Sequence, residues 1–259
     1  MPHEAYADDE LASLYDLVYQ DEDADLALYE QFARRGQRPS LELGVGSGRV
    51  ALHLARCGLP VVGIDSSLRM LARLEARLDP QLAPNVRLVE ADMRDFDLGG
   101  ETFDLVYCAF DTFEHLLTID DRIAALRCVA RHLTPAGVFV AQMRSLTAID
   151  WSPAPSALTH DWTRRDPATG HLVTKLRSSS ACPAAQTTTD TLIFDRIGDD
   201  GSVRRRTIEV TLRVAGRFEM ELLLQGASLR LRSIYGGPDL SPFDDASDTM
   251  VIVAELEGS

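Results

Sequence analysis

The chain has 259 residues, 45% hydrophobic and 25% charged; this supports a packed domain and excludes a disordered one. Against 26 Lys and Arg stand 40 Asp and Glu, a net charge of −14 that repels phosphate backbones and anionic lipid, so neither nucleic acid nor a membrane surface is expected as a partner. The four cysteines form no C-x-x-C pair, which argues against a disulfide frame or a zinc site, and Cys57 and Cys108, inside apolar runs, are expected as buried free thiols.

Residues 1–36 read as an acidic, amphipathic helical segment, with Leu11, Leu14, Tyr15 and Val18 at helical spacing and then Leu26, Tyr29 and Phe32. The carboxylates Asp8, Asp9, Glu10, Asp21, Glu22, Asp23 and Asp25 are expected as a solvated face. Met1-Pro2-His3-Glu4 lacks the basic and apolar regions of a signal peptide, and no apolar run approaches the roughly 20 residues of a membrane helix. A cytoplasmic, soluble protein is expected.

Short apolar runs then alternate with helical stretches. Strands are predicted at Ser40–Leu43, Pro60–Ile64, Val86–Val89, Phe103–Ala109 and Val138–Met143, the last preceded by a Thr134-Pro135-Ala136-Gly137 turn. Helices fall between them, through Val50–Ala55, Leu68–Leu78 and Ile123–Leu133. Such alternation means right-handed βαβ crossovers and a doubly wound α/β sheet. After residue 150 the period becomes two. Val173–Ser180, Thr187–Ile197 and Val203–Val214 read as antiparallel strands, followed by a helix at Arg217–Gln225 and strands at Leu229–Ile234 and Thr249–Leu256.

The stretch Leu41-Glu42-Leu43-Gly44-Val45-Gly46-Ser47-Gly48 ends a strand in a glycine turn, and Asp65 ends the next strand about 20 residues on, where a carboxylate can take both hydroxyls of a ribose. An isolated glycine turn is as often a plain strand-to-helix connection. The spacing here is G-x-G-x-G rather than the G-x-G-x-x-G that presents a helix N-terminus to a pyrophosphate, so a ribose-bearing ligand without phosphate fits better. Glu90-Ala91-Asp92-Met93 closes the third strand, with Asp92 placed for an adenine amino group and Met93 for its face. A helix cap and a core side chain explain those two equally well when each is taken alone.

Together, the run L-E-L-G-V-G-S-G, Asp65, E-A-D-M and F-D-L-V-Y-C-A-F resemble the class I S-adenosylmethionine-dependent methyltransferases over roughly residues 40–143. The resemblance implies a Rossmann-like, doubly wound seven-stranded sheet with one antiparallel strand, and S-adenosylmethionine across the carboxyl ends of strands one and four. It implies that Gly44, Gly46 and Gly48 border the methionine portion, Glu42 helps hold its ammonium, Asp65 and the adjacent Ser66 take the ribose, and Asp92 and Met93 take the adenine, with Ala109 at the end of strand four.

A narrower resemblance, carried by Tyr15-Asp16-Leu17-Val18-Tyr19, Ala91-Asp92-Met93-Arg94-Asp95-Phe96 and Phe110-Asp111-Thr112-Phe113-Glu114-His115-Leu116, is to small-molecule N-methyltransferases acting on amino sugars and lincosamide precursors. It implies a lid from residues 1–36, a cofactor-binding core from 37–149 and 216–259, and an antiparallel β insertion at 150–215 that covers the acceptor or pairs two subunits. Tyr6 and Tyr15 then close over the cofactor and join His115 as catalytic residues, His115 lying near the acceptor amine as its base, and Tyr6, Tyr19, Phe113 and Glu114 border the acceptor. Packing on an amphipathic helix explains the tyrosines, and a core or surface position the histidine, equally simply. Glu114 and Asp111 are rivals for the base, Asp111 also as a turn cap, and Trp151 and Trp162 either roof a pocket or pack.

A sulfonium methyl is already activated, so no metal is expected and positioning should supply most of the acceleration. An O-methyltransferase would use the same cofactor residues, and a non-catalytic scaffold would keep the fold without turnover. A nicotinamide oxidoreductase is disfavoured by the G-x-G-x-G spacing and the lack of a Tyr-x-x-x-Lys pair.

Overall fold

The structure is a computed structural model and describes residues 9–19 and 21–258. Two helices come first, α1 (Asp9–Tyr19) and α2 (Leu26–Ala33). The alternating region follows as β1 (Ser40–Leu43), α3 (Arg49–Arg56), β2 (Val61–Asp65), α4 (Leu68–Ala76), β3 (Val86–Glu90), β4 (Phe103–Cys108), α5 (Ile119–His132) and β5 (Leu133–Arg144). Four strands, β6 (Thr159–Arg165), β7 (Leu172–Cys182), β8 (Thr187–Ile197) and β9 (Val203–Arg213), form a separate antiparallel sheet. The chain returns through α6 (Arg217–Gln225), β10 (Leu229–Tyr235) and β11 (Thr249–Leu256).

The main sheet has seven strands in the order β10-β11-β5-β4-β1-β2-β3. Its β1, β2, β3, β4 and β5 pairings are parallel, and only β11 runs against both neighbours. The expected doubly wound α/β fold with a β insertion after the fifth strand is what forms. The strand order reverses between β1 and β4, which places a crevice at the carboxyl ends of those strands.

Period-two alternation sends β4 into two cores. Val106 and Cys108 pack with α5 and α6 on one face, whereas Leu105 and Tyr107 pack with α2 and α3 on the other. Both faces are covered, so the strands read as continuous apolar runs. A third cluster joins Leu14 and Leu17 of α1 to Val173 and Phe194, so α1 is clamped against the inner face of the second sheet.

Several expectations are corrected. Residues 134–137 are not a turn before the fifth strand but an irregularity inside it, since Phe103 pairs with Leu133 and Leu105 already with Val138. The polar strand β6 carries no period-two signal and went unread. Cys57 is only partly buried. One of the acidic N-terminal residues leaves the solvated face: Asp25 is 2% exposed and forked by Arg49, whereas Asp21, which pairs with Arg164 of β6 at 2.8 Å, stays exposed as expected. Trp162 packs beside Phe194, with ring centroids 6.3 Å apart, and roofs no cavity, while Trp151 donates to the Leu146 carbonyl at 3.2 Å. No helix among the described residues is long and apolar enough to cross a membrane.

Candidate active site

Two neighbouring cavities occupy the crevice. The first lies over the ends of β1, β2 and β3, between Gly44, Gly46, Asp65, Ser66 and Met93. The glycine turn beneath it is tight for two separate reasons. Gly44 has φ 67°, and a Cβ there would meet Thr112 Cγ2 at 2.4 Å; Gly48, at φ 87°, would strike Leu74 Cδ1 at 2.1 Å. Gly44 therefore faces the cavity, whereas Gly48 packs against α4 and leaves the cavity wall, a correction to its expected ligand contact.

Three amides that could grip a phosphate are already used. Val45 donates to the Ile64 carbonyl at 2.9 Å, Gly46 to Asp65 Oδ2 at 2.9 Å, and Gly48 to the Val45 carbonyl at 3.0 Å. Asp65 Oδ1 also accepts from the Ser67 amide at 2.8 Å. The turn thus presents a carboxylate rather than a nest of donors, which suits hydroxyls and rejects a pyrophosphate. Burial pushes Asp65 upward, and the Ser67 and Gly46 amides pull it back. Ser66 adds a third amide to the carboxylate, which still borders the cavity and keeps acceptor capacity for a ligand.

Asp92 differs from expectation. Arg94 forks its carboxylate, Nε to Oδ1 at 2.9 Å and Nη2 to Oδ2 at 2.6 Å, and also reaches Asp121 of α5 at 2.9 Å. The guanidinium holds Asp92 below the usual carboxylate range. Asp92 lines the cavity, but its first duty is to Arg94, and Arg94 and Asp121 are wall residues that sequence reasoning missed. Their spacing of 27 residues carries no local signal.

Glu42 and Ala109 do not reach the wall of either cavity. Glu42 is 3% exposed beneath the turn, accepting from Tyr107 Oη at 2.9 Å, and burial pushes its carboxyl up to about 8. A carboxyl raised in the folded state is stabilising while neutral. That contribution is full below its ordinary value near 4.5 and is lost as pH rises through about 8. In Glu42→Gln, unfolding free energy measured by urea titration should decline less steeply between about pH 5 and 8, with Glu114, also raised by burial, keeping part of the slope; an unchanged slope would place the titration elsewhere.

The second cavity shares Tyr15, Thr112 and His115 with the first and extends beneath the β insertion. Tyr19, Phe110 and Asp111 form one side, and Lys175, Asp190, Leu192 and Phe194 the other. The rings of Tyr15 and Tyr19 lie 4.5 Å apart, and Tyr19 and Phe110 5.5 Å apart. Phe110 has φ 50°, a strained backbone for a bulky residue, under the Arg49 guanidinium 3.9 Å from its ring centroid. Burial pushes the Tyr19 phenol up to about 12 and raises that of Tyr15 further, so both keep their protons at neutral pH.

Phe113 and Glu114 are corrected as acceptor contacts. Phe113 is fully buried against Phe139 and the Arg122 guanidinium. Glu114, also fully buried, accepts from the Arg144 amide at 2.9 Å and from its Nε at 2.8 Å. Asp111 caps nothing; Thr118 caps α5 instead. Tyr6 lies outside the described residues. Phe110 and Asp190 line the second cavity and were not foreseen as site residues.

A methyltransferase domain family matches residues 41–137. The cypemycin N-terminal methyltransferase of a Streptomyces species is 39% identical over 100 residues, covering 39% of each chain. The dTDP-3-amino-3,4,6-trideoxy-alpha-D-glucopyranose N,N-dimethyltransferase of Streptomyces venezuelae is 28% identical across 88% of this chain and 93% of its own. The solved CcbJ methyltransferase of Streptomyces caelestis superposes with a TM-score of 0.76 at 29% identity, covering 90% of this chain and 95% of that one. Residues 41–137 carry a methyltransferase domain, and the chain shares the fold of a solved methyltransferase. The chain's match to the first curated relatives spans only about two fifths to half of their length. The residues present suit this methyltransferase family's cofactor: an acceptor carboxylate at the end of β2, Met93 and Leu116 for an adenine face, and no phosphate cradle.

Proposed function

We propose that this methyltransferase moves a methyl group from S-adenosylmethionine to an amine nitrogen of a small natural-product acceptor, an amino sugar first among them. The observation that supports the reading is the common wall of the two cavities at Tyr15, Thr112 and His115, which suits a cofactor in one and an acceptor in the other. When bound, S-adenosylmethionine supplies an electrophilic methyl group.

In this reading Asp65 and Ser66 hold the ribose hydroxyls, Met93 and Asp92 flank the adenine, and Gly44 and Gly46 let the methionine portion lie close. Tyr15 and Tyr19, protonated at neutral pH, orient the acceptor and exclude water rather than act as bases. His115 takes the amine proton so that a neutral nitrogen attacks. Glu22, Asp111 and Asp190 in the acceptor wall favour a cationic acceptor. The amino-sugar N,N-dimethyltransferase aligned over most of the chain takes a nitrogen acceptor by name, which supports an amine over a hydroxyl. The reading includes a cytoplasmic protein. It also includes pairing of subunits through the outer face or edges of the insertion, because the inner face is used by α1 and the acceptor cavity; light scattering at the monomer mass dismisses that pairing.

The test is incubation with methyl-labelled S-adenosylmethionine and amino sugars or their hydroxyl analogues. Label on nitrogen is expected. Label on oxygen would make the protein an O-methyltransferase, and saturable cofactor binding without turnover on any amine would make it a scaffold. Asp65→Ala should weaken cofactor binding by roughly 1.5–3 kcal/mol for each hydrogen bond lost to the charged carboxylate. Calorimetry decides this, and unchanged affinity removes Asp65 from the ribose.

A further inference from the structure

We propose that Glu30, His53 and Cys57 form a binding site for a divalent cation of borderline softness, Zn2+ first among them. None of the three lines either cavity, and the proposal is independent of methyl transfer. His53 and Cys57 lie four residues apart at the end of α3, so their side chains stand one above the other on a single helix face. The neighbouring α2 brings Glu30 across to them.

Glu30 Oε2 lies 2.8 Å from His53 Nε2, and Cys57 Sγ lies 3.9 Å from the same nitrogen. One ligand atom from each residue falls within 4.8 Å of the other two. Bonds to Zn2+ of about 2.0–2.3 Å set tetrahedral ligand atoms about 3.4–3.6 Å apart, so the two distances to His53 Nε2 change by roughly half an ångström, and Glu30 and Cys57 close from within 4.8 Å of each other. Imidazole, thiolate and carboxylate are the donors that Zn2+ accepts together, whereas Ca2+ or Mg2+ would find too few oxygens. The side chains of His53 and Glu30 are 27% and 26% exposed, which leaves solvent a path in and a fourth position for water. Arg34 donates from Nε to Glu30 Oε1 at 2.8 Å, which orients the carboxylate and leaves Oε2 for the ion. Its positive charge also lowers the affinity, so a readily chelated ion is expected. Binding replaces the Glu30–His53 hydrogen bond with metal bonds to Oε2 and Nε2, the neutral imidazole keeping its proton on Nδ1 instead, and forms a third bond to Cys57 Sγ as the thiol proton is released to solvent. It ties α2 to the helix that opens at the glycine turn, from the end remote from the cavities.

The test is a Co2+ titration of the tag-free, chelator-treated full chain. A single equivalent should give a thiolate-to-cobalt charge-transfer band and the strong visible absorption of a four-coordinate ion, both displaced by Zn2+. Cys57→Ser should abolish the charge-transfer band. His53→Ala should weaken Co2+ binding by at least the roughly 10–100-fold that loss of even an outer-shell partner costs. Cys182→Ser, which removes the exposed cysteine, should change neither signal. No charge-transfer band in the unmutated protein, or one that survives Cys57→Ser or vanishes in Cys182→Ser, overturns the site. The unmutated titration decides the matter even if a variant fails to fold.

Discussion

Replacing Arg144 with methionine is expected to destabilise the protein by ~3–5 kcal/mol, the cost of stranding one partner of a buried ion pair. Glu114 is fully buried, and Arg144 supplies its amide, its Nε and its Nη2, the last at 2.6 Å. Arg144 keeps 22% side-chain exposure, and burial raises the Glu114 carboxyl so that it can take a proton once the guanidinium is gone; the lower end of that range is therefore expected. The same guanidinium donates to Thr188 Oγ1 of β8 at 2.9 Å, which makes it the link between the main sheet, the segment after β4 and the insertion. Besides lowering the urea midpoint, Arg144→Met should therefore raise KM for the acceptor while cofactor affinity changes little. Adding Glu114→Gln should restore much of the stability, because a neutral amide removes the stranded charge. A loss below ~1 kcal/mol, the level of an exposed pair, would show that the pair is solvated in solution.

The main sheet was legible because parallel strands buried on both faces leave continuous apolar runs, and because the glycine turn and Asp65 mark the ends of two neighbouring strands. The site was legible only where a residue's place follows from its strand. Gly44, Gly46, Asp65 and Met93 line the first cavity for that reason. Residues 110–115 form a 3-10 turn with a kink at Asp111, and no simple period says which side chains face the crevice. Phe113 and Glu114 turn inward as a result, while Phe110 and His115 face the cavities. Partners far apart in the chain were out of reach: Arg144 lies thirty residues from Glu114, and Glu30 comes to His53 and Cys57 from another helix. Strand β6 has only Trp162 and its neighbours to mark it, and its register slips between His160 and Trp162.

His115→Ala is expected to lower kcat by about 10²–10⁴-fold, the span of a lost general base, with cofactor affinity nearly unchanged. The reason is position: His115 stands in the wall common to both cavities, where an acceptor nitrogen must shed a proton before it attacks. The neighbouring Tyr15 and Tyr19 cannot take that proton near neutral pH, because burial holds both phenols well above it. An ammonium acceptor loses its proton to solvent as pH rises, so the defect should shrink toward alkaline pH and the log rate of the variant should climb more steeply than that of the parent. A smaller, pH-independent loss has a different physical meaning. It would make His115 a positioning residue, with the acceleration coming from alignment of the nitrogen against the methyl carbon. Full activity of His115→Ala at every pH, measured with the acceptor that the labelling experiment identifies, removes His115 from the chemistry and leaves Asp111, the other titratable residue at the end of β4 that faces the acceptor, to be tested next.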